Sequence, residues 1–224
     1  MEKINKALGL DFGFTISYYV FKAQLEREMS SYTLTDRVRA LSQPILAPIA
    51  DLLARLKVSP NTVTILGFLG CGIVGATLAF GYPRLAGLFL IIFGPLDAID
   101  GLLARRSGQQ TKFGAFLDST LDRYSEIVIF AGLLYHLYQQ GQFEPIFLLF
   151  LTLAGSLMVS YTRARAEALG FECKIGILTR FERLLILTIA LLTGWILPVL
   201  ALLAVFTNFT ALQRVIHVWR QARG

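Results

Sequence analysis

Two pairs of aspartates in this 224-residue chain have helical spacing: Asp97 and Asp100 are three apart, Asp118 and Asp122 four apart. On helices each pair shares one face. The pairs sit at the mouths of two consecutive apolar stretches, joined by the polar loop from Arg106 to Lys112. Carboxylates at membrane depth are costly and repel one another, so a cluster of them requires cations in between. Oxygen-only ligands suit Mg²⁺ or Mn²⁺; zinc is disfavoured because neither His136, His217 nor a cysteine lies in the cluster. Two such ions about 4 Å apart can clamp a pyrophosphate and stabilise charge on the attacking and leaving oxygens. The expected substrate is a diphosphate.

The elements that must position these groups are apolar helices. The chain is 55% hydrophobic and 16% charged. Stretches long enough to cross a bilayer, roughly 20 residues each, fall at 61–80, 85–104, 113–138, 145–166, 180–197 and 199–218. The expectation is an all-α integral membrane protein with six transmembrane helices. Turns at Gly81-Tyr82-Pro83, Gln139-Gln140-Gly141 and Gly194 to Pro198 carry a single cation, Arg84, whereas Arg55, Lys57, Arg105, Arg106, Lys112 and the later basic residues gather at the opposite helix ends. The positive-inside bias then puts both termini and the aspartates in the cytoplasm, in a multi-pass protein of the inner membrane. A net charge of +6 concentrated beside one membrane face favours anionic headgroups or phosphates over nucleic acid. Cys71 lies in a span and Cys173 in a cytoplasmic loop, so no disulfide is expected.

Residues 36–57 place Val38, Leu41, Ile45, Ile49, Leu52, Leu53 and Leu56 at helical spacing. This predicts an amphipathic interfacial helix ahead of the six spans, interrupted by Pro44 and Pro48. Residues 1–35 read as an extension of unknown role, whose first 28 residues are expected to reflect the choice of start site; no cleavable signal peptide is expected, because the N-terminus lacks a continuous apolar core. Residues 58–224 form the helical domain. Gly67, Cys71 and Gly75 recur every four positions, a ridge suited to close packing inside the bundle. Gly94-Pro95 predicts a kink in the second span.

From Asp97 to Asp122 the chain reads D-x2-D-G-x2-A-R-x8-G-x3-D-x3-D without a deviation. This resembles the signature of the CDP-alcohol phosphatidyltransferases, and the layout of residues 36–220 agrees with that family. The resemblance implies that CDP-diacylglycerol is the donor, that Asp97, Asp100, Asp118 and Asp122 hold two ions of Mg²⁺ or Mn²⁺, and that Asp122 is also the general base. Beside cations, its worth as a base rests on position rather than basicity. Gly101, Ala104 and Gly114 are small, as a nucleotide diphosphate lying against helix backbones needs, and Arg105 can offer a planar pair of donors to a phosphate. Pro60-Asn61-Thr62-Val63-Thr64 matches the family's P-N-x-x-T segment, which implies that Asn61 and Thr64 help hold the CDP moiety. The family's habit implies a homodimer.

Ser160 to Glu167, Arg180 to Arg183 and Gln213-Arg214 resemble the corresponding segments of bacterial phosphatidylinositol phosphate synthases, a branch of that family. Arg163, Arg183 and Arg214 would then bind the phosphate of an incoming inositol phosphate. Where the family carries a lysine, Arg163 keeps the charge and changes the geometry. Three arginines would serve glycerol 3-phosphate equally well, so phosphatidylglycerophosphate synthesis is the rival reading. A cation-coupled transporter is the reading from a different class; it is disfavoured because no partner charge lies in the outer half of the bilayer apart from Arg84 and Glu144 at its rim. Arg55, Arg106, Arg220 and Arg223 read as headgroup anchors, and Arg165, Glu167 and Arg180 as residues that pair with neighbours.

Overall fold

The computed structural model describes residues 34–223, with side chains from Gln43 onward. The expectations for residues 1–28 lie outside the described residues. Residues Gln43–Gly224 form one compact unit. All regular structure among the described residues is helical: α1 Leu34–Arg55, α2 Pro60–Ala79, α3 Pro83–Phe93, α4 Leu96–Ser107, α5 Lys112–Gln139, α6 Phe143–Ala168, α7 Arg180–Thr193 and α8 Ile196–Gln221.

Local chemistry explains the boundaries. Ser59 caps α2 by accepting the Thr62 N–H at 3.2 Å, with Pro60 in the first turn where its missing N–H costs nothing. Gly108 stops α4 in the left-handed region, at φ 68°, and Thr111 starts α5 by accepting the Gly114 N–H at 2.9 Å. At the head of α7, the Glu182 carboxylate accepts the Thr179 backbone N–H at 2.8 Å and also the Thr179 hydroxyl.

Four segments are long and apolar enough to cross a membrane: Pro60–Ala79, Pro83–Ser107, Phe143–Ala168 and Ile196–Gln221. The protein is an all-α integral membrane protein. The two other expected spans correspond to α5, whose N-terminal half carries Asp118, Asp122, Arg123 and Glu126, and to α7, which has 14 residues before Gly194 ends it. Charge in one and brevity in the other set them apart from the four. The second apolar stretch is broken where expected, into α3 and α4 at Gly94-Pro95.

Interior packing depends on small residues. A Cβ on Gly75 would lie 2.6 Å from the Val128 carbonyl oxygen, and one on Gly132 would meet the backbone of Gly75, so α2 and α5 cross in near backbone contact. Gly67 faces Leu96 of α4. The ridge on α2 is thus a packing surface within the bundle, and Val74, Leu78, Ile129, Leu133, Leu187 and Leu191 close the core around it.

Helix α1 departs from expectation at its prolines. It runs through Pro44 and Pro48 without a break. Both prolines are exposed and four apart, so the two lost backbone bonds fall on one outward face. Of the expected apolar stripe, Ile45, Ile49, Leu52 and Leu56 are exposed on the outside of the bundle, while Leu46 and Ala50 pack against Val63, Ile99, Leu102 and Leu103. Arg106 at the end of α4 binds Asp51 of α1, so this arginine has a protein partner as well as a place at a helix end.

Candidate active site

Helices α2, α4, α5 and α7 bring the expected residues to one end of the bundle. Thr64, one turn into α2, donates its hydroxyl to Asp100 Oδ2 at 2.6 Å and to the Pro60 carbonyl at 3.1 Å. Asn61 lies against the start of α5, where a Cβ on Gly114 would come within 3.0 Å of its Oδ1. The Arg105 guanidinium folds back over Gly101, with Nη1 at 3.5 Å from where a Cβ would be. Asn61, Thr64, Gly101, Arg105 and Gly114 therefore border the aspartates, and half-buried Ala104 lies on the same helix as Gly101.

Asp97, Asp118 and Asp122 each offer an oxygen within 4.8 Å of the others. Asp118 Oδ1 is buried and makes no hydrogen bond. A buried acceptor left unpaired costs about 1–3 kcal/mol, and a divalent cation would satisfy it. An all-oxygen trio with an orphaned lone pair fits Mg²⁺ or Mn²⁺. Asp100, 5% exposed, stands beside the trio with its Oδ2 held by Thr64.

Arg180 stands closer to this site than its sequence suggested. Its Nη1 is 2.6 Å from Asp97 Oδ1, the same nitrogen pairs with Asp122 Oδ1, and its Nε is 3.9 Å from Glu126 Oε1. The neighbours with which Arg180 pairs are thus the site carboxylates themselves. Arg123 adds a longer contact to Asp122, 3.4 Å. Glu126 also escaped the sequence reading, although it follows Asp122 by four residues and so continues the same face of α5.

The three arginines expected around the acceptor have different settings. Arg163 is exposed and pairs with Glu167 at 2.8 Å, one turn along α6. Arg183 is 3% exposed and donates to Glu126 at 2.6 Å and to the Leu178 carbonyl at 3.3 Å. Arg214, equally buried, donates to the carbonyls of Ile175, at 2.9 Å, and Val159. Gly176 makes room for it: at φ 142°, a Cβ there would press to 3.3 Å from Arg214 Nη2. Arg214 lies within electrostatic reach of both Arg163 and Arg183. Cys71 and Cys173 are free and buried, and burial raises the Cys173 thiol above its ordinary pKa against the pull of Arg214 and Arg163.

This combination of a carboxylate cluster, small residues on α4 and α5, and an arginine-rich α7 is that of a membrane-embedded phosphotransferase. The model of the CDP-alcohol phosphatidyltransferase family matches residues 57–219. An archaetidylinositol phosphate synthase of Methanothermobacter thermautotrophicus is 36% identical over 197 residues, covering 85% of this chain and 97% of its own length. The crystal structure of Mycobacterium tuberculosis phosphatidylinositol phosphate synthase with CDP-DAG bound superposes with a TM-score of 0.73 at 32% identity, over 79% of this chain and 94% of that one. The same mycobacterial protein in complex with manganese and citrate gives a TM-score of 0.68 at 33% identity, over 78% and 88% of the two chains. The chain belongs to the CDP-alcohol phosphatidyltransferase family. It is an enzyme.

Proposed function

We propose that the protein transfers the phosphatidyl group of CDP-diacylglycerol to inositol 1-phosphate and releases CMP. The observation that carries the acceptor assignment is the placement of Arg183, a buried guanidinium linked to the aspartate trio through Glu126 and Arg180. A phosphorylated alcohol needs such a cation beside the attacked phosphorus; a neutral alcohol does not. The manganese in one mycobacterial structure and CDP-DAG in the other support the same assignment of metal and donor.

Asp97, Asp100, Asp118 and Asp122 would hold the metal. Divalent cations held there would supply positive charge to the pyrophosphate and to the departing phosphate. Asn61, Thr64, Gly101, Ala104, Arg105 and Gly114 would receive the CDP moiety, the small residues by letting it approach the backbone and Arg105 by a paired contact to phosphate. Arg163, Arg183 and Arg214 would orient the acceptor through its phosphate. The acceptor hydroxyl oxygen then forms a bond to the lipid-bearing phosphorus as the bond to the CMP oxygen breaks, and Asp122 takes the hydroxyl proton.

The membrane setting follows the same logic. With α5 and α7 completing six spans and α1 lying in the interface through Ile45, Ile49, Leu52 and Leu56, the aspartate end meets the cytoplasm. The other end presents exposed Phe80, Tyr82, Tyr138, Phe143 and Trp195, the aromatic belt of a membrane–water boundary.

The assay is CMP release by purified enzyme with CDP-diacylglycerol and Mg²⁺, comparing inositol 1-phosphate, glycerol 3-phosphate, free inositol and serine. Release with inositol 1-phosphate, abolished by chelation and restored by Mg²⁺ or Mn²⁺, is expected. Preference for glycerol 3-phosphate would replace the product and leave the chemistry.

A further inference from the structure

A buried charge cluster adjoins the aspartates, and the transfer steps above leave its central member unused. On α5 an acidic side chain recurs every four residues, at Asp118, Asp122 and Glu126. Glu126 is 4% exposed. Its Oε2 accepts the Ser156 hydroxyl from α6; its Oε1 accepts Arg183 Nη2 from α7 at 2.6 Å and lies 3.9 Å from Arg180 Nε. Among the described residues Glu126 is the one carboxylate in ion-pair range of Arg183, whereas Arg180 is shared between Glu126, Asp97 and Asp122. A continuous line of alternating charge thus runs from the aspartates through Arg180 and Glu126 to Arg183.

The donors in that line are not exhausted. The Nε atoms of Arg180 and Arg183 are both buried and make no hydrogen bond. A buried ion pair is a poor source of stability, because apolar residues of the same volume do as well. What it fixes is direction: a planar guanidinium pinned at one edge presents its remaining N–H groups along a set line.

We propose that Glu126 is a positioning residue for the acceptor half of the reaction. Ser156 holds its far oxygen, Glu126 pins Arg183, and Arg180 ties both to the aspartates, so the acceptor's phosphate is seated at a fixed distance from the transferred phosphorus. The proposal rests on the reading of Arg183 as a ligand of the acceptor phosphate.

The test uses the full-length enzyme in detergent. Initial rates of CMP release are measured against inositol 1-phosphate and against CDP-diacylglycerol, and Mn²⁺ affinity by paramagnetic resonance titration. Glu126→Gln keeps the shape and removes the charge. Its KM for inositol 1-phosphate should rise about tenfold or more, with the KM for CDP-diacylglycerol and the Mn²⁺ affinity within about threefold of the parent. Glu126→Asp should recover part of the loss, and Ser156→Ala should shift the same KM by roughly two- to fivefold. An unchanged acceptor KM in Glu126→Gln overturns the proposal, as does an equal loss of Mn²⁺ affinity, which would make Glu126 part of the metal site. Should Glu126→Gln fail to fold, Ser156→Ala decides by the same KM. Arg183→Ala separates the two readings. If it leaves the acceptor KM unchanged, the acceptor-site assignment itself fails; if it raises that KM while the Glu126 and Ser156 variants do not, Glu126 alone loses its role.

Discussion

Asp122 and Asp97 both touch Arg180, yet removing their charges should have different consequences. Asp122 is the candidate base as well as a candidate ligand, so Asp122→Asn should lower kcat by roughly 10²- to 10⁴-fold. Binding of CDP-diacylglycerol should stay within about threefold, because the proposed main ligands of the metal are Asp97, Asp100 and Asp118, with Asp122 acting chiefly on the proton. Asp97→Asn removes one oxygen of the trio and should weaken Mn²⁺ and CDP-diacylglycerol binding together, by about tenfold or more. Titration of Mn²⁺ and single-turnover CMP release on both variants check this; near-parental turnover by Asp122→Asn would remove it as the base. The four aspartates were legible in the sequence because their spacing of three and four is itself a statement about helix faces. Arg180 was read only as a residue that pairs with neighbours, since nothing in the sequence says that those neighbours are the aspartates until the start of α7 is seen against them. Glu126 was legible in principle, one turn beyond Asp122, but a lone further carboxylate carries no meaning until Arg183 and Ser156 are found against it.

Helix pairs, rather than single helices, set the geometry between the aspartate pairs. Asp100 on α4 is held by Thr64 on α2, and α2 in turn is locked to α5 by Gly75 and Gly132, so the two aspartate-bearing helices share α2 as a common reference. Any side chain at Gly132 meets backbone and cannot be accommodated by a rotamer change. Gly132→Val should therefore destabilise the protein by about 2–3 kcal/mol and reduce activity even below the unfolding transition, because the distance from Asp118 and Asp122 to α4 changes. Gly72→Ala, on the same helix as Gly75 but with nothing within 4 Å of its Cβ position, should leave both unaltered. Thermal unfolding in detergent with CMP release on the same samples distinguishes the pair. The ridge of small residues on α2 and the break at Gly94-Pro95 could be read from sequence because each is a local steric fact. The course of α1 could not: proline disfavours a helix interior, but Pro44 and Pro48 lie on the exposed face, where the carbonyls they leave unpaired are not buried.

At the scale of the whole molecule, the number of crossings depends on α5 and α7, whose charge and length set them apart from the four apolar spans. If α5 crosses the bilayer, the turn before it and the turn after it lie on opposite sides. Gln109 in the first turn and Gln140 in the second are both exposed, and the native cysteines are buried, so single-cysteine labelling can read the topology directly. In a Cys71→Ala, Cys173→Ser background, Gln109→Cys should react with a membrane-impermeant maleimide only from the cytoplasmic face, and Gln140→Cys only from the other. Reaction of both from one face would mean that α5 returns without crossing, which would put Arg84 and the aromatic turns on the same side as the aspartates. Two physical costs argue against that outcome. The basic residues that crowd the aspartate end would lose their asymmetry, and the apolar second half of α5, from Ile127 to Leu137, would leave the hydrocarbon in which its neighbours α2 and α6 are immersed. A crossing α5 instead lets one helix do two things along its length, carrying carboxylates where the soluble acceptor arrives and apolar side chains where the bundle meets lipid.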